Sequence, residues 1–209
     1  MKNQTGTAAK CRIGLTGGIG CGKSTVAELF REQGAAIVDA DALSRTLTAI
    51  GGSALPDIRR AFGGAAIGPD GAMNREWMRA LVFSDLAAKS RLESILHPMI
   101  REQTDQAMAK AEGVYVILDF PLLLESKNWK ERVHQVVVVD CPVDTQVERV
   151  IKRSQLAEAQ IRAIIAQQVS RDFRLANADH VLDNSGDTSA LKPQVAALHK
   201  LFTSMVCYS

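Results

Sequence analysis

Gly17-Gly18-Ile19-Gly20-Cys21-Gly22-Lys23-Ser24-Thr25 is the stretch on which the fold turns. Gly17, Gly22, Lys23 and Ser24 occupy the fixed positions of the spacing G-x-x-x-x-G-K-[ST]. Residues 11–16 before it read as a short strand and residues 25–30 after it as a helix, the context this motif requires. Glycines let the backbone curl until the N–H groups of Gly18, Ile19, Gly20, Cys21, Gly22, Lys23, Ser24 and Thr25 face inward at phosphate oxygens. The helix N-terminus adds the positive end of its dipole. Lys23 reaches the outer phosphates of a nucleotide, and the Ser24 hydroxyl suits the Mg2+ that ATP carries.

Working outward, three β-branched runs each close on an aspartate. Ala35-Ala36-Ile37-Val38 ends at Asp39, Val114-Tyr115-Val116-Ile117-Leu118 at Asp119, and Gln135-Val136-Val137-Val138-Val139 at Asp140. A weaker fifth run, His180-Val181-Leu182, leads into Asp183-Asn184. Continuous apolar runs suit strands buried on both faces of a parallel sheet. Their alternation with helices predicts an α/β doubly wound fold. Ligands bind beyond the carboxyl ends of such strands, where the loop, Asp39, Asp41, Asp119, Asp140 and Asn184 all fall. Residues 44–112 read instead as a mostly helical insertion. Within it, residues 84–112 carry apolar positions at helical spacing, Ser84 or Asp85 is the expected N-cap, and Pro98 is expected to kink or divide the helix. Residues 142–175 carry helical character without a strand signal.

A chain of 209 residues suits one core domain with insertions. A formal charge of +2 gives no global pull toward nucleic acid or a membrane surface. Cys11, Cys21, Cys141 and Cys207 lie far apart with no C-x-x-C pair, which argues against a zinc site or a disulfide framework and for a reducing compartment. Residues 1–10 are polar and lack a signal-peptide core. The apolar runs at 114–118 and 136–139 are too short to span a bilayer. A cytoplasmic protein, monomeric or weakly homo-oligomeric, is the expectation. The four histidines have no metal-ligand spacing.

Three groups beside the loop carry candidate chemistry. Asp41, in Asp39-Ala40-Asp41, can accept a hydrogen bond from an incoming hydroxyl and aim its oxygen at phosphorus. Aspartate also caps strand ends and turns, and the residues leave both roles open for Asp41, while Asp39 reads as the cap. Asp119, closing the most apolar strand, has the character of a magnesium contact. Arg149, Lys152 and Arg153 follow the fourth strand, and Arg149 and Arg153 share a helix face. Such a segment can close over a nucleotide and spread charge, or be a solvated face paired with Glu148 and Glu158. Arg162, Arg171 and Arg174 extend its basic character.

The assembled motifs resemble the dephospho-CoA kinase family over nearly the whole chain. The resemblance rests on the loop, Val38-Asp39-Ala40-Asp41 with Arg45, Leu96-His97-Pro98, and Pro121-Leu122-Leu123-Leu124-Glu125. It continues through Gln146-Val147-Glu148-Arg149 with Arg153 and Ala178-Asp179-His180-Val181-Leu182-Asp183-Asn184-Ser185-Gly186. It implies a P-loop kinase fold with a five-stranded parallel sheet. The core would span about 11–43, 113–145 and 176–209, with a helical CoA-binding insertion at about 44–112 and a lid at about 146–175. It also implies ATP- and magnesium-dependent phosphorylation of the ribose 3′-hydroxyl of dephospho-CoA, the last step of coenzyme A synthesis. Asp41 then matches the catalytic carboxylate, Arg149 the lid arginine with Arg153 beside it, and Asn184 the loop near the adenine. Cys21 stands where serine is commoner and Leu124 where an aromatic residue is frequent. Another small-molecule P-loop kinase, for a nucleoside, nucleotide or shikimate-like acceptor, shares the loop and lid. A non-enzymatic ATP-binding module has no need of Lys23, Ser24, Asp41, Asp119 and Arg149 together. A GTP switch lacks its N-K-x-D motif here.

Overall fold

Burial on both faces turns the β-branched runs into the strands of one sheet. In the computed structural model, which describes residues 8–126, 128–154, 156–205 and 207–208, the central strand is β2 (Arg12–Gly17). It is flanked by β4 (Val116–Asp119) and β5 (Gln135–Asp140). Outside these lie β3 (Ala36–Asp39) and β6 (His180–Asp183), giving the order β3-β4-β2-β5-β6. The sheet is all-parallel, as the apolar runs predict. Leu15 is level with Asp119, Thr16 with Val138, and Asp140 with Asp183. That register brings Gly17, Asp119, Asp140 and Asp183 to the same carboxyl edge. The weak fifth run is thus a true strand, completed by its pairing with β5.

The described chain forms two compact units, one holding the residues up to Val38 and from Ala111 onward, the other Asp39–Lys110. In the first, Ile13, Leu15, Ile117, Val137 and Val139 are fully buried beneath helices. The helix α1 (Lys23–Glu32) contributes Val26 and Phe30, and α9 (Leu191–Ser204) contributes Val195 and Phe202. Phe30, Tyr115 and Phe202 pack ring against ring at centroid distances of 5.5–6.4 Å. Burying each phenyl group stabilises the fold by roughly 1.5–3 kcal/mol. Burial also pushes the Tyr115 phenol above its ordinary pKa, and its hydroxyl meets His199 Nδ1 at 2.9 Å.

A second, two-stranded antiparallel sheet joins β1 (Ala8–Ala9) to β7 (Cys207–Tyr208). Beside it Cys11 and Cys207 form a disulfide, with Cα atoms 5.2 Å apart across 196 residues of sequence. This corrects the expectation of no disulfide. Spacing arguments read local pairs, whereas this pair is made by the two ends of the chain meeting. The expectation about residues 1–10 lies mostly outside the described residues.

The second unit starts at Asp39, whose carboxylate caps α2 (Ala40–Thr48) by accepting from Ala42 N–H at 2.9 Å. With α3 (Leu55–Phe62), α4 (Arg75–Ser84) and α5 (Leu86–Lys110), this helix encloses Leu47, Ala54, Ile58, Ala66 and Met78. Asp85 is the residue that bonds the first amides of α5, at 2.8 Å to Ala87 and 3.1 Å to Ala88. Pro98 does not divide α5, which runs continuously for 25 residues. A proline removes one backbone donor, and the remaining ladder and the packing of Leu92, Ile95, Leu96, Met99 and Ile100 on the apolar cluster carry the helix through it.

Three helices fill the segment between β5 and β6: α6 (Val143–Ser154), α7 (Glu158–Gln167) and α8 (Arg171–Ala176). Among the described residues no helix is long and apolar enough to cross a membrane.

Candidate active site

The phosphate loop links β2 to α1 at the carboxyl edge of the sheet, and its shape depends on residues without a Cβ. Gly22 is the N-cap of α1 with φ 91°, a left-handed conformation that other residues resist. A side chain there would also strike Asn184. At Gly18 a Cβ would stand 2.7 Å from Gln146 Oε1 and 3.1 Å from Arg174 Nη2. The loop closes on itself through Cys21 N–H to the Gly18 carbonyl at 3.1 Å. Beyond it, the first amides of α1, at Lys23, Ser24 and Thr25, face out of the helix end. Ser24 and Thr25 are exposed there. Backbone donors and a helix dipole converge on one spot, which is an anion cradle.

Charge sits in the cradle already. Lys23 Nζ makes an ion pair with Asp119 Oδ1, both side chains largely shielded from solvent. Asp119 is level with Leu15 in the adjacent strand, so the sheet register alone delivers this carboxylate to the mouth of the loop. Ser24 and Asp119 supply a hydroxyl and a carboxylate oxygen, the hard donors Mg2+ prefers. That chemistry fits the ion. Asp140, on β5, is held by Arg171 through three hydrogen bonds at 2.6–3.1 Å, from Nε to both carboxylate oxygens and from Nη2 to Oδ2, and this partner raises the Arg171 pKa further.

Behind the loop lies a layer of buried polar groups. Asn184 is 1% exposed; its Nδ2 donates to the Cys21 carbonyl at 2.7 Å and its N–H to the Asp140 carbonyl at 2.8 Å. Its Oδ1 has no hydrogen-bond partner. Gln146 is fully buried, donates to the Cys141 carbonyl at 3.2 Å, and leaves Oε1 without a partner beside Gly18. Cys21 and Cys141 are buried thiols with sulfurs 3.4 Å apart, Cys141 donating. That hydrogen bond holds Cys21 below its ordinary pKa against the effect of burial, and it pushes Cys141 upward together with burial.

The remaining sequence-predicted residues fall as follows. Arg149, on α6, donates Nη2 to the Gly186 carbonyl at 3.0 Å, while its Nη1 is buried without a partner. Arg153 is exposed on the same helix. Asp41 is exposed in the first turn of α2, in the second unit. A carboxylate there also favours the helix N-terminus electrostatically. The first unit therefore gathers Lys23, Ser24, Asp119 and Asn184 around one loop.

Sequence reading missed the connection between α7 and α8. Gln168 Oε1 accepts from Ile19 N–H at 3.2 Å. Val169 N–H donates to Glu125 Oε1 at 3.2 Å, and Arg174 Nη1 donates to the Val169 carbonyl at 2.6 Å. Arg174 is a 5% exposed cation beside Gly18. Its place in a basic segment was visible in the sequence, and its burial was not.

Comparison with known proteins agrees with the geometry. A family model described as dephospho-CoA kinase matches residues 11–190. A curated protein of Aromatoleum aromaticum named dephospho-CoA kinase is 52% identical over 187 residues, covering 90% of this chain and 91% of the relative. A solved structure from Thermus thermophilus superposes with TM-score 0.79 at 34% identity, covering 92% of this chain and 98% of that one. A shikimate kinase from Acinetobacter baumannii, at TM-score 0.51 and 16% identity over 94% of this chain and 95% of that one, shares the fold alone.

Proposed function

The chain belongs to the dephospho-CoA kinase family, and from that premise we propose that its phosphate loop binds ATP with Mg2+ and passes the terminal phosphoryl group to the ribose 3′-hydroxyl of dephospho-CoA. The observation that carries this reading is the loop with Lys23 and Asp119 paired at its mouth. A cation and a carboxylate already side by side can separate onto two ligands, Lys23 onto the outer phosphates and Asp119 onto the metal. Ser24 and Asp119 would hold Mg2+, which when bound neutralises developing charge on the phosphates.

Asp41 accepts a hydrogen bond from the 3′-hydroxyl and aims the oxygen at the terminal phosphorus. The O–P bond to the acceptor forms as the bond to the ADP oxygen breaks, and the hydroxyl proton passes to Asp41 late in a loose transition state. Lys23 and Arg149 spread the charge on the transferring group, as preorganised cations do in a water-poor site. The Arg149 Nη1 that has no partner is the donor available for this. Arg153 adds longer-range positive charge from the exposed face of α6. Asn184 steadies the loop through Cys21, and its Oδ1 is the atom with accepting capacity to spare for the adenine.

Cytoplasmic residence, a monomer or weak homo-oligomer, and no nucleic-acid or membrane partner complete the proposal. The Cys11–Cys207 bond is the observation that runs against a reducing compartment.

A panel of acceptors tests the reading. With ATP and Mg2+, dephospho-CoA, adenosine, AMP and shikimate are offered in parallel, and the product is mapped by phosphorus NMR and mass spectrometry. Phosphate on the 3′-oxygen of dephospho-CoA alone is expected. Turnover only with another acceptor would overturn the substrate assignment.

A further inference from the structure

One donor of the phosphate loop is covered by the protein itself. Ile19 belongs to the phosphate loop, and Gln168 Oε1 accepts from its N–H at 3.2 Å. The Gln168 side chain is not there by chance of a floppy surface. Its backbone N–H closes α7 on the Ile165 carbonyl at 3.1 Å. Val169, next in sequence, is held on both sides, by Glu125 through its N–H and by buried Arg174 through its carbonyl. Three elements therefore aim a neutral carboxamide at a donor that an anion would want.

The chemistry of that group matters. An N–H has one hydrogen to give, and an anionic phosphate oxygen forms a hydrogen bond about twice as strong as a neutral acceptor does. Phosphate thus displaces Oε1 from Ile19. A carboxamide also carries two N–H donors on the same carbon as its acceptor, so a half turn about its last torsion replaces acceptor by donor without moving the backbone.

We propose that Gln168 is a nucleotide-phosphate ligand: its Oε1 accepts from Ile19 N–H, and when a phosphate oxygen takes that N–H over, its Nε2 donates to the same oxygen. The inference rests on the reading that the loop binds ATP. It makes the α7–α8 connection the part of the lid segment that senses loop occupancy, because the same side chain bonds the loop in one state and the ligand in the other.

Two substitutions separate this role from a simple staple between the connection and the loop. Gln168→Ala loses acceptor and donor. Gln168→Glu keeps an acceptor, and a stronger one, for Ile19 N–H, but loses the donor and brings negative charge to the phosphate. A phosphate ligand predicts kcat/KM for ATP falling about tenfold in Gln168→Ala and about a hundredfold or more in Gln168→Glu. KM for dephospho-CoA should change by no more than about twofold in either, and Gln168→Glu should melt no lower than the wild type. A staple predicts the reverse order, with Gln168→Glu near wild type and Gln168→Ala the worse enzyme. That reverse order, or wild-type kinetics in Gln168→Glu, would overturn the proposal. Wild-type protein that binds no ATP in the same titration would overturn the ATP reading and this inference with it; ATP binding by the wild type with the wrong order would remove this inference alone.

Discussion

Along α6, Arg149 and Arg153 lie four residues apart on one helix face; a second group runs from Gln168, in the connection after α7, to Arg171 and Arg174 on the short helix α8. Yet it is the second group that touches the phosphate loop and the sheet edge. Gln168 bonds Ile19, Arg174 is buried beside Gly18, and Arg171 is forked onto Asp140. In the first group, Arg149 bonds the Gly186 carbonyl and Arg153 faces solvent. Periodicity reports which side chains share a face. Contact with a loop is decided by where a connection is pinned, and the pins here are Glu125 and Arg174 on either side of Val169.

Substitutions order the two groups. Among the arginines of the two groups, the largest effect is expected from Arg174→Met, which keeps the bulk of the stem but removes the charge. The Val169 carbonyl loses a charged donor, costing about 2 kcal/mol and lowering the melting temperature by about 5 °C. With the connection released from the loop, kcat/KM for ATP should fall about a hundredfold. Unchanged melting and kinetics would show that the buried cation is not what pins the connection. Arg149→Ala comes next. It removes a donor assigned to the transferring group, so kcat should fall about ten- to a hundredfold with little change in melting; an effect larger than that of Arg174→Met would reverse the comparison. Arg153→Ala should be smallest, about twofold or less at physiological salt and shrinking further as salt rises, since exposed charge is screened. A salt-independent tenfold loss would place Arg153 in direct contact with nucleotide.

How much of this could be read from residue order follows the same division. The sheet was legible because burial on both faces leaves uninterrupted β-branched runs, and even the short His180-Val181-Leu182 run found its partner in β5. Lys23 and Asp119 were legible because a fixed loop spacing and a strand ending in aspartate place both at one edge. Pro98 left α5 undivided, since the apolar packing of the helix outweighs the one backbone donor lost. The pairing of Cys11 with Cys207 was not legible, because nothing local marks residues brought together by the pairing of β1 with β7. Asn184 was reached through family resemblance as a neighbour of adenine; the structure adds its bond to the Cys21 carbonyl, which no sequence pattern encodes. Gln168 carries no motif at all, being a polar residue at a helix end whose role comes from the loop it faces.

The division of labour at the centre of the account puts nucleotide binding in the phosphate loop and acceptor activation on Asp41. The most direct measurement is ATP affinity and dephospho-CoA turnover, taken side by side on wild-type protein and Asp41→Asn. The account predicts ATP affinity within about threefold of wild type and kcat lower by about a thousandfold or more, because orientation and proton acceptance at the hydroxyl are lost together while the loop is untouched. Near-normal turnover in Asp41→Asn would contradict it.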